Sequence, residues 1–87
     1  MSLEIFEIRI THRAEKDIEK LPTKLKDKLH DILNETIAIN PHQGKKLLGD
    51  LEGRYSYRLD YQNRIVYRID LKNRVVYIQR ARTHYGN

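Results

Sequence analysis

Between residues 54 and 82 apolar and polar side chains alternate in successive runs, and turn-forming residues separate the runs. Tyr55, Tyr57 and Leu59 alternate with Arg54, Ser56 and Arg58. After a turn at Gln62-Asn63, Ile65, Tyr67 and Ile69 alternate with Arg64, Val66 and Arg68. A hairpin turn at residues 70–73 leads into a last run, 74–82, with Val75, Val76, Tyr77 and Ile78 at its centre. A period of two is the signature of a strand with one face buried and one face wet. Three such strands joined by short turns predict an antiparallel meander, and its apolar face needs a second layer to cover it.

The preceding residues supply that layer. Residues 3–10 alternate as well, with Phe6, Ile8 and Ile10 opposed to Glu7 and Arg9, and predict a half-buried first strand. Thr11 is placed to cap a helix, along which Ala14, Ile18 and Leu21 form a narrow apolar stripe. Pro22-Thr23 stops that helix and is placed to cap the next. Leu25, Leu29, Ile32, Leu33 and Thr36 trace a second amphipathic helix, which Asn40-Pro41 ends because proline disfavours the α conformation of the residue before it. Residues 41–53 are rich in glycine and polar groups and predict a loop or ragged turn, pinned to the core by Leu47, Leu48 and Leu51. The predicted architecture is α+β in the order β-α-α-β-β-β. It is one domain over residues 1–87, with a two-helix hairpin packed on a three-stranded antiparallel meander that forms one sheet with the first strand.

The 87 residues leave room for a single domain with a small core, so a partner chain is a plausible source of added stability. No apolar run approaches the ~20 residues of a membrane span. The first ten residues, interrupted by Glu4, Glu7 and Arg9, lack the core of a signal peptide. Cysteine is absent, which excludes a disulfide framework and thiolate metal sites. The expectation is a soluble cytoplasmic protein.

The net charge of +5 is unevenly placed. Residues 1–53 carry nine Lys/Arg against ten Asp/Glu; residues 54–87 carry eight against two, and seven of those eight are arginine. Strand alternation sets Arg58, Arg64 and Arg68 on the face turned away from the helices. Guanidinium groups match phosphate oxygens in a planar fork, so a basic platform of this kind points to a polyanion, most simply nucleic acid.

Three segments then define a resemblance: Leu51-Glu-Gly-Arg-Tyr-Ser-Tyr-Arg58, Asn63-Arg-Ile-Val-Tyr67 and Arg82-Thr-His-Tyr85. In this order and spacing they resemble the RelE/ParE superfamily of toxins from bacterial toxin–antitoxin pairs, with the R-I-V-Y strand and the terminal R-x-H-Y most similar to the YoeB branch. The resemblance implies a ribosome-dependent mRNA endoribonuclease, metal-independent and without cofactor. It also implies a heteromeric complex in which a small, acidic cognate antitoxin holds the toxin inactive. The alternatives are a ParE-type toxin that inhibits DNA gyrase and a non-catalytic RNA-binding module.

The resemblance also assigns roles. Arg64 matches the phosphate-binding arginine that stabilises the phosphorane, and Arg58 stands on the same face where relatives carry a basic residue. His84 and Tyr85 match the terminal pair that supplies proton transfer and phosphate orientation. Arg82, at the end of the last strand, is placed to orient phosphate or ribosomal RNA. Lys45 stands about where the YoeB pattern has a glutamate base. Lys45 and Lys46 are therefore read as RNA-binding, and Asp50 and Glu52 are the remaining carboxylates near that position. Arg54 and Arg68 are peripheral phosphate contacts, and Arg74 and Arg80 are peripheral or solvated. His12, His30 and His42 are scattered without metal-ligand spacing. Tyr61, at a turn, is expected to be exposed.

Overall fold

The computed structural model describes residues 5–48 and 53–83, with the backbone alone at 82 and 83. Thr11 joins its first two elements. Strand β1 (Glu7–Ile10) ends there and helix α1 (His12–Glu19) begins. The Thr11 hydroxyl accepts from the Ala14 amide at 3.2 Å and donates to the Ile78 carbonyl at 2.9 Å. One side chain thus caps the helix and fastens it to a distant strand. Helix α2 (Thr23–Ile32) follows; Pro22 occupies its N-cap, and no side chain caps it.

The apolar repeat of α2 does not continue as the single helix that the stripe to Thr36 predicts. Leu33–Ile37 form a π turn instead. Leu29, Leu33 and Ile37 recur every four residues and all are buried. A wider turn corrects the drift that a repeat of four accumulates against a helix of 3.6 residues per turn.

The remaining strands are β2 (Lys45–Lys46), β3 (Arg54–Arg58), β4 (Asn63–Asp70) and β5 (Val75–Thr83). They complete a five-stranded sheet in the order β1-β5-β4-β3-β2, with β1 parallel to β5 and every other pair antiparallel. The core lies between one face of this sheet and the helices: Ala14, Leu25, Leu29, Leu33 and Ile37 meet Leu59, Ile65, Tyr67, Val76, Ile78 and Ala81. Both meander turns are closed by aspartates. Asp60 Oδ1 accepts from the Gln62 and Asn63 amides, and Asp70 Oδ1 from the Asn73 amide. The Asn73 side chain also donates to Asp70 Oδ2 at 2.9 Å; that bond, followed by the Asn73 backbone amide, holds the Asp70 carboxyl below the usual carboxylate range, and the Gln62 and Asn63 amides do the same for Asp60.

The first strand begins at Glu7 among the described residues, and Ile10 at its end is partly exposed because β1 is an edge strand. A register shift interrupts the β4–β5 pairing: Val66 faces Arg80 and Tyr67 faces Ile78, leaving Gln79 as an extra residue. This bulge changes the phase of the alternation, so Val76, Ile78 and Ala81 all reach the core although they do not share one period-two series.

The segment predicted to be a loop contains the two-residue strand β2. Its expected anchor is also different: Leu48 is 80% exposed and Leu47 only half-buried, while Leu51 lies outside the described residues. The attachment runs through Tyr67. Its buried hydroxyl donates to the Pro41 carbonyl at 2.6 Å, its ring stacks on Tyr55, and Tyr55 in turn meets His42 edge-on. Tyr61 is exposed, as its turn position predicts.

A basic cleft on the outer sheet face

The outer face is set by register. Arg58 pairs with Arg64 and Arg54 with Arg68 across β3 and β4, while Arg64 pairs with Arg82 across β4 and β5. Directly opposed residues of an antiparallel pair have Cβ atoms roughly 5 Å apart, and like charges there are destabilising. The sheet thus holds arginines in positions that cost stability without an anion between them.

Strand β2 brings a further cation to this group. Lys45 pairs with Ser56, the outer-face residue between Arg54 and Arg58, and so stands on the arginine side. Lys46 pairs with Tyr55 and belongs to the opposite face. The result is a cleft of about 390 Å³ lined by Gln43, Gly44, Lys45, Ser56, Arg58 and Arg64, with Tyr57 at its side.

The cleft's shape depends on Gly44. A Cβ at this position would overlap the Tyr67 hydroxyl and the Ser56 carbonyl, so only glycine lets the chain pass this close to the sheet. Burial is the main cause that pushes the Tyr67 phenol up to about 12, opposed by the Gly44 amide. The phenol therefore stays protonated and donating at neutral pH. Ser56, buried beneath the same crossing, is the only buried polar residue among those described.

Among the described residues, Arg9 and Arg80 are engaged in ion pairs, whereas none engages Lys45, Arg54, Arg58 or Arg64. Arg80 is not a solvated residue. Its Nε donates to Asp17 Oδ2 at 2.8 Å and its Nη2 to Asp17 Oδ1 at 3.2 Å, while the Ala81 amide also donates to Asp17 Oδ2. The guanidinium is consumed in tying β5 to α1. Arg68 lies 4.7 Å from the centre of the Tyr77 ring, and Arg74 lies 4.3 Å from that of Phe6.

The sequence-predicted residues therefore divide into groups. Lys45, Arg58 and Arg64 converge in the cleft, with Arg82 next to Arg64 by register. Arg54 and Arg68 stand four residues along the same strands, and Lys46 is on the other face. His84, Tyr85, Asp50 and Glu52 lie outside the described residues. Sequence reasoning missed Gln43, Gly44, Ser56 and Tyr57 as lining residues; the only local signal was a glycine placed just before two lysines. Among the described residues no three His, Cys, Asp or Glu side chains cluster to hold a metal, and no helix is long and apolar enough to cross a membrane.

The fold and this cleft define an α+β domain that presents a basic pocket on the open face of its sheet. Residues 8–86 match the ParE-like toxins of type II bacterial toxin–antitoxin systems. The chain belongs to that family, and it is a type II toxin with a RelE/YoeB-like fold. The toxin–antitoxin complex RelBE2 of Mycobacterium tuberculosis is similar at 27% identity, with a TM-score of 0.85 and 95% of each chain covered. The YoeB–YefM complex of Staphylococcus aureus is similar at 25% identity and a TM-score of 0.74, covering 92% of this chain and 98% of that one. A YoeB/ParE toxin of Agrobacterium tumefaciens shares the fold at 23% identity and a TM-score of 0.81, covering 92% of this chain and 100% of that one. Among curated proteins no sequence matches.

Proposed function

We propose that this toxin is a ribosome-dependent mRNA endoribonuclease, neutralised by a small acidic antitoxin. The observation that carries this reading is the convergence of Lys45, Arg58 and Arg64, none with a carboxylate partner among the described residues, in a cleft of about 390 Å³. In the reaction a ribose 2′-oxygen attacks the adjacent phosphorus and the bond from phosphorus to the 5′-oxygen breaks, leaving a 2′,3′-cyclic phosphate. The 2′-hydroxyl gives up its proton to a solvent water, since no carboxylate lines the cleft, and the departing 5′-oxygen takes one up from a donor.

Negative charge peaks on the phosphorane between these events, and fixed guanidinium groups stabilise it most in a cleft that excludes part of the solvent. Arg58 and Arg64 fill that role, with Lys45 as the third cation. Lys45 contributes positive charge and does not replace a carboxylate base. His84 is assigned as the proton donor to the leaving oxygen, and Tyr85 as its orienting partner. This set supplies charge and protons without a metal. The similar toxins of M. tuberculosis and S. aureus occur in toxin–antitoxin complexes, and the antitoxin of this chain is expected to place acidic side chains over the cleft.

The family match favours one second reading, a ParE-type toxin that acts on DNA gyrase without cutting RNA. Inducible expression in bacteria with transcriptome-wide mapping of mRNA ends separates the two. Codon-phased cleavage that disappears in Arg64→Ala and His84→Ala variants is the expected result. Growth arrest with intact mRNA and inhibited supercoiling would overturn it.

A further inference from the structure

We propose that a second cleft, at Arg13 and Arg54, is an RNA subsite that holds a nucleotide further along the strand, beyond the two that flank the phosphate bound at Lys45, Arg58 and Arg64. The proposal rests on the ribonuclease reading and extends it to the length of RNA engaged. This cleft has a volume of about 490 Å³ and is lined by Thr11, Arg13, Arg54, Val66, Gln79 and Arg80.

Its position relative to the first cleft follows from one cross-strand pair. Ser56 lines the first cleft and Val66 the second, and the two residues are directly opposed in β3 and β4. The clefts are therefore neighbours along a single trough. Arginines recur along that trough at a spacing of four, Arg54 and Arg58 on β3, Arg64 and Arg68 on β4. At a strand rise of about 3.3 Å per residue the two arginine rows lie roughly 13 Å apart. A chain with repeating phosphates can engage both rows at once.

The lining suits a nucleotide better than an acidic peptide. Val66 offers an apolar floor. The bulge in β5 leaves Gln79 out of the strand pairing, and its carboxamide, a donor and an acceptor together, is of the kind that pairs with base edges. Guanidinium planes stack on bases as well as binding phosphate. Arg80 is held by Asp17, and among the described residues no ion pair engages Arg13 or Arg54. The cations left for a ligand are thus Arg13 and Arg54. A peptide carboxylate would use those two and leave the apolar floor and the amide without a role.

The test is fluorescence anisotropy on the purified chain with uncleavable 2′-O-methyl RNA, a dinucleotide and a tetranucleotide, across a salt series. The R13Q/R54Q double variant is expected to weaken the tetranucleotide about tenfold or more and to leave the dinucleotide within about twofold. Its log–log salt slope should shrink by about 1.4, because each single-strand phosphate that a cation neutralises adds about 0.7 to that slope. R54K, which keeps the charge, should retain the slope, separating removal of charge from damage to the fold. Tetranucleotide binding unchanged in the double variant would overturn the subsite. So would equal affinity of the wild type for both lengths, stronger binding to an A-form hairpin than to the single strand, or a loss confined to a poly-glutamate peptide. R64A is a separate arm: if it leaves the dinucleotide unaffected, the first cleft and the ribonuclease reading fail, whatever the double variant does.

Discussion

The Tyr67 hydroxyl donates to the Pro41 carbonyl at 2.6 Å, across 26 positions of sequence and wholly inside the protein. This bond fastens the segment that carries Lys45 to the strand that carries Arg64. Tyr67→Phe removes the donor and leaves a buried carbonyl without it, which is expected to cost about 1–3 kcal/mol of stability. Urea unfolding of the variant measures the loss.

The same phenol makes stability pH-dependent at the alkaline end. Its pKa is raised from 10.0 to about 12 in the folded state, so the folded protein holds this proton when the unfolded chain has released it. The contribution is complete below pH 10 and is lost as pH rises toward 12. The difference in stability between wild type and Tyr67→Phe, followed from pH 9 to pH 12, should narrow over that window. A constant difference would show that the hydroxyl does not titrate from the folded state as described.

Gly44→Ala is expected to destabilise by about 1–3 kcal/mol, because its methyl group must displace the Tyr67 hydroxyl or the Ser56 backbone. Part of the strain disappears when the hydroxyl is absent. A double-mutant cycle with Tyr67→Phe should therefore show a coupling of at least about 0.5 kcal/mol. Strict additivity would place the clash elsewhere.

Much of this arrangement was legible in residues 54–82, where alternation assigned the outer arginines correctly. The approach of Lys45 was not. A two-residue strand has no period to detect, and its pairing uses backbone groups that any sequence possesses. Leu47 and Leu48 looked like an anchor because hydropathy suggests burial, but the anchor is a tyrosine hydroxyl whose partner is a carbonyl. The bulge at Gln79 was hidden for a related reason: Val75, Val76, Tyr77 and Ile78 form a continuous apolar run in which a change of phase leaves no mark.

Lys45 and Lys46 provide a matched pair for the cleft. Lys45→Ala should weaken binding of uncleavable single-stranded RNA by about tenfold, the scale of one charged hydrogen bond. Lys46→Ala, on the opposite face, should change it less than about twofold. Equal effects would mean that general charge, and not the cleft, sets affinity.

Thr11→Ala removes a hydroxyl that accepts from the Ala14 amide and donates to the Ile78 carbonyl. The expected cost is about 1–2 kcal/mol, at the upper end for an N-cap because both bonds are lost. Thr11→Ser, which keeps them, should recover most of it in thermal unfolding.

Asp17→Asn replaces the carboxylate that receives two bonds from Arg80 and one from the Ala81 amide. A loss of about 1–3 kcal/mol is expected, since a partly buried guanidinium loses its counter-charge. Binding of an uncleavable dinucleotide by the folded variant at low temperature should stay within about twofold of wild type, because this ion pair lies outside the Lys45 cleft.

The place of β5 in the sheet has a consequence for the order of events during synthesis. This strand, the last of the five, lies between β1 and β4, receives the Thr11 hydroxyl bond and carries Arg80 to Asp17. Neither the first strand nor the first helix has its sheet partner until residues 75–83 are free to pair. A chain whose residues 75–83 have not yet paired can therefore hold most of its arginines and still lack the frame that aligns them. Such long-range closure is slow compared with local helix formation. The interval separates translation of the toxin from the appearance of a working cleft, and gives a partner the chance to engage the chain before that cleft is built.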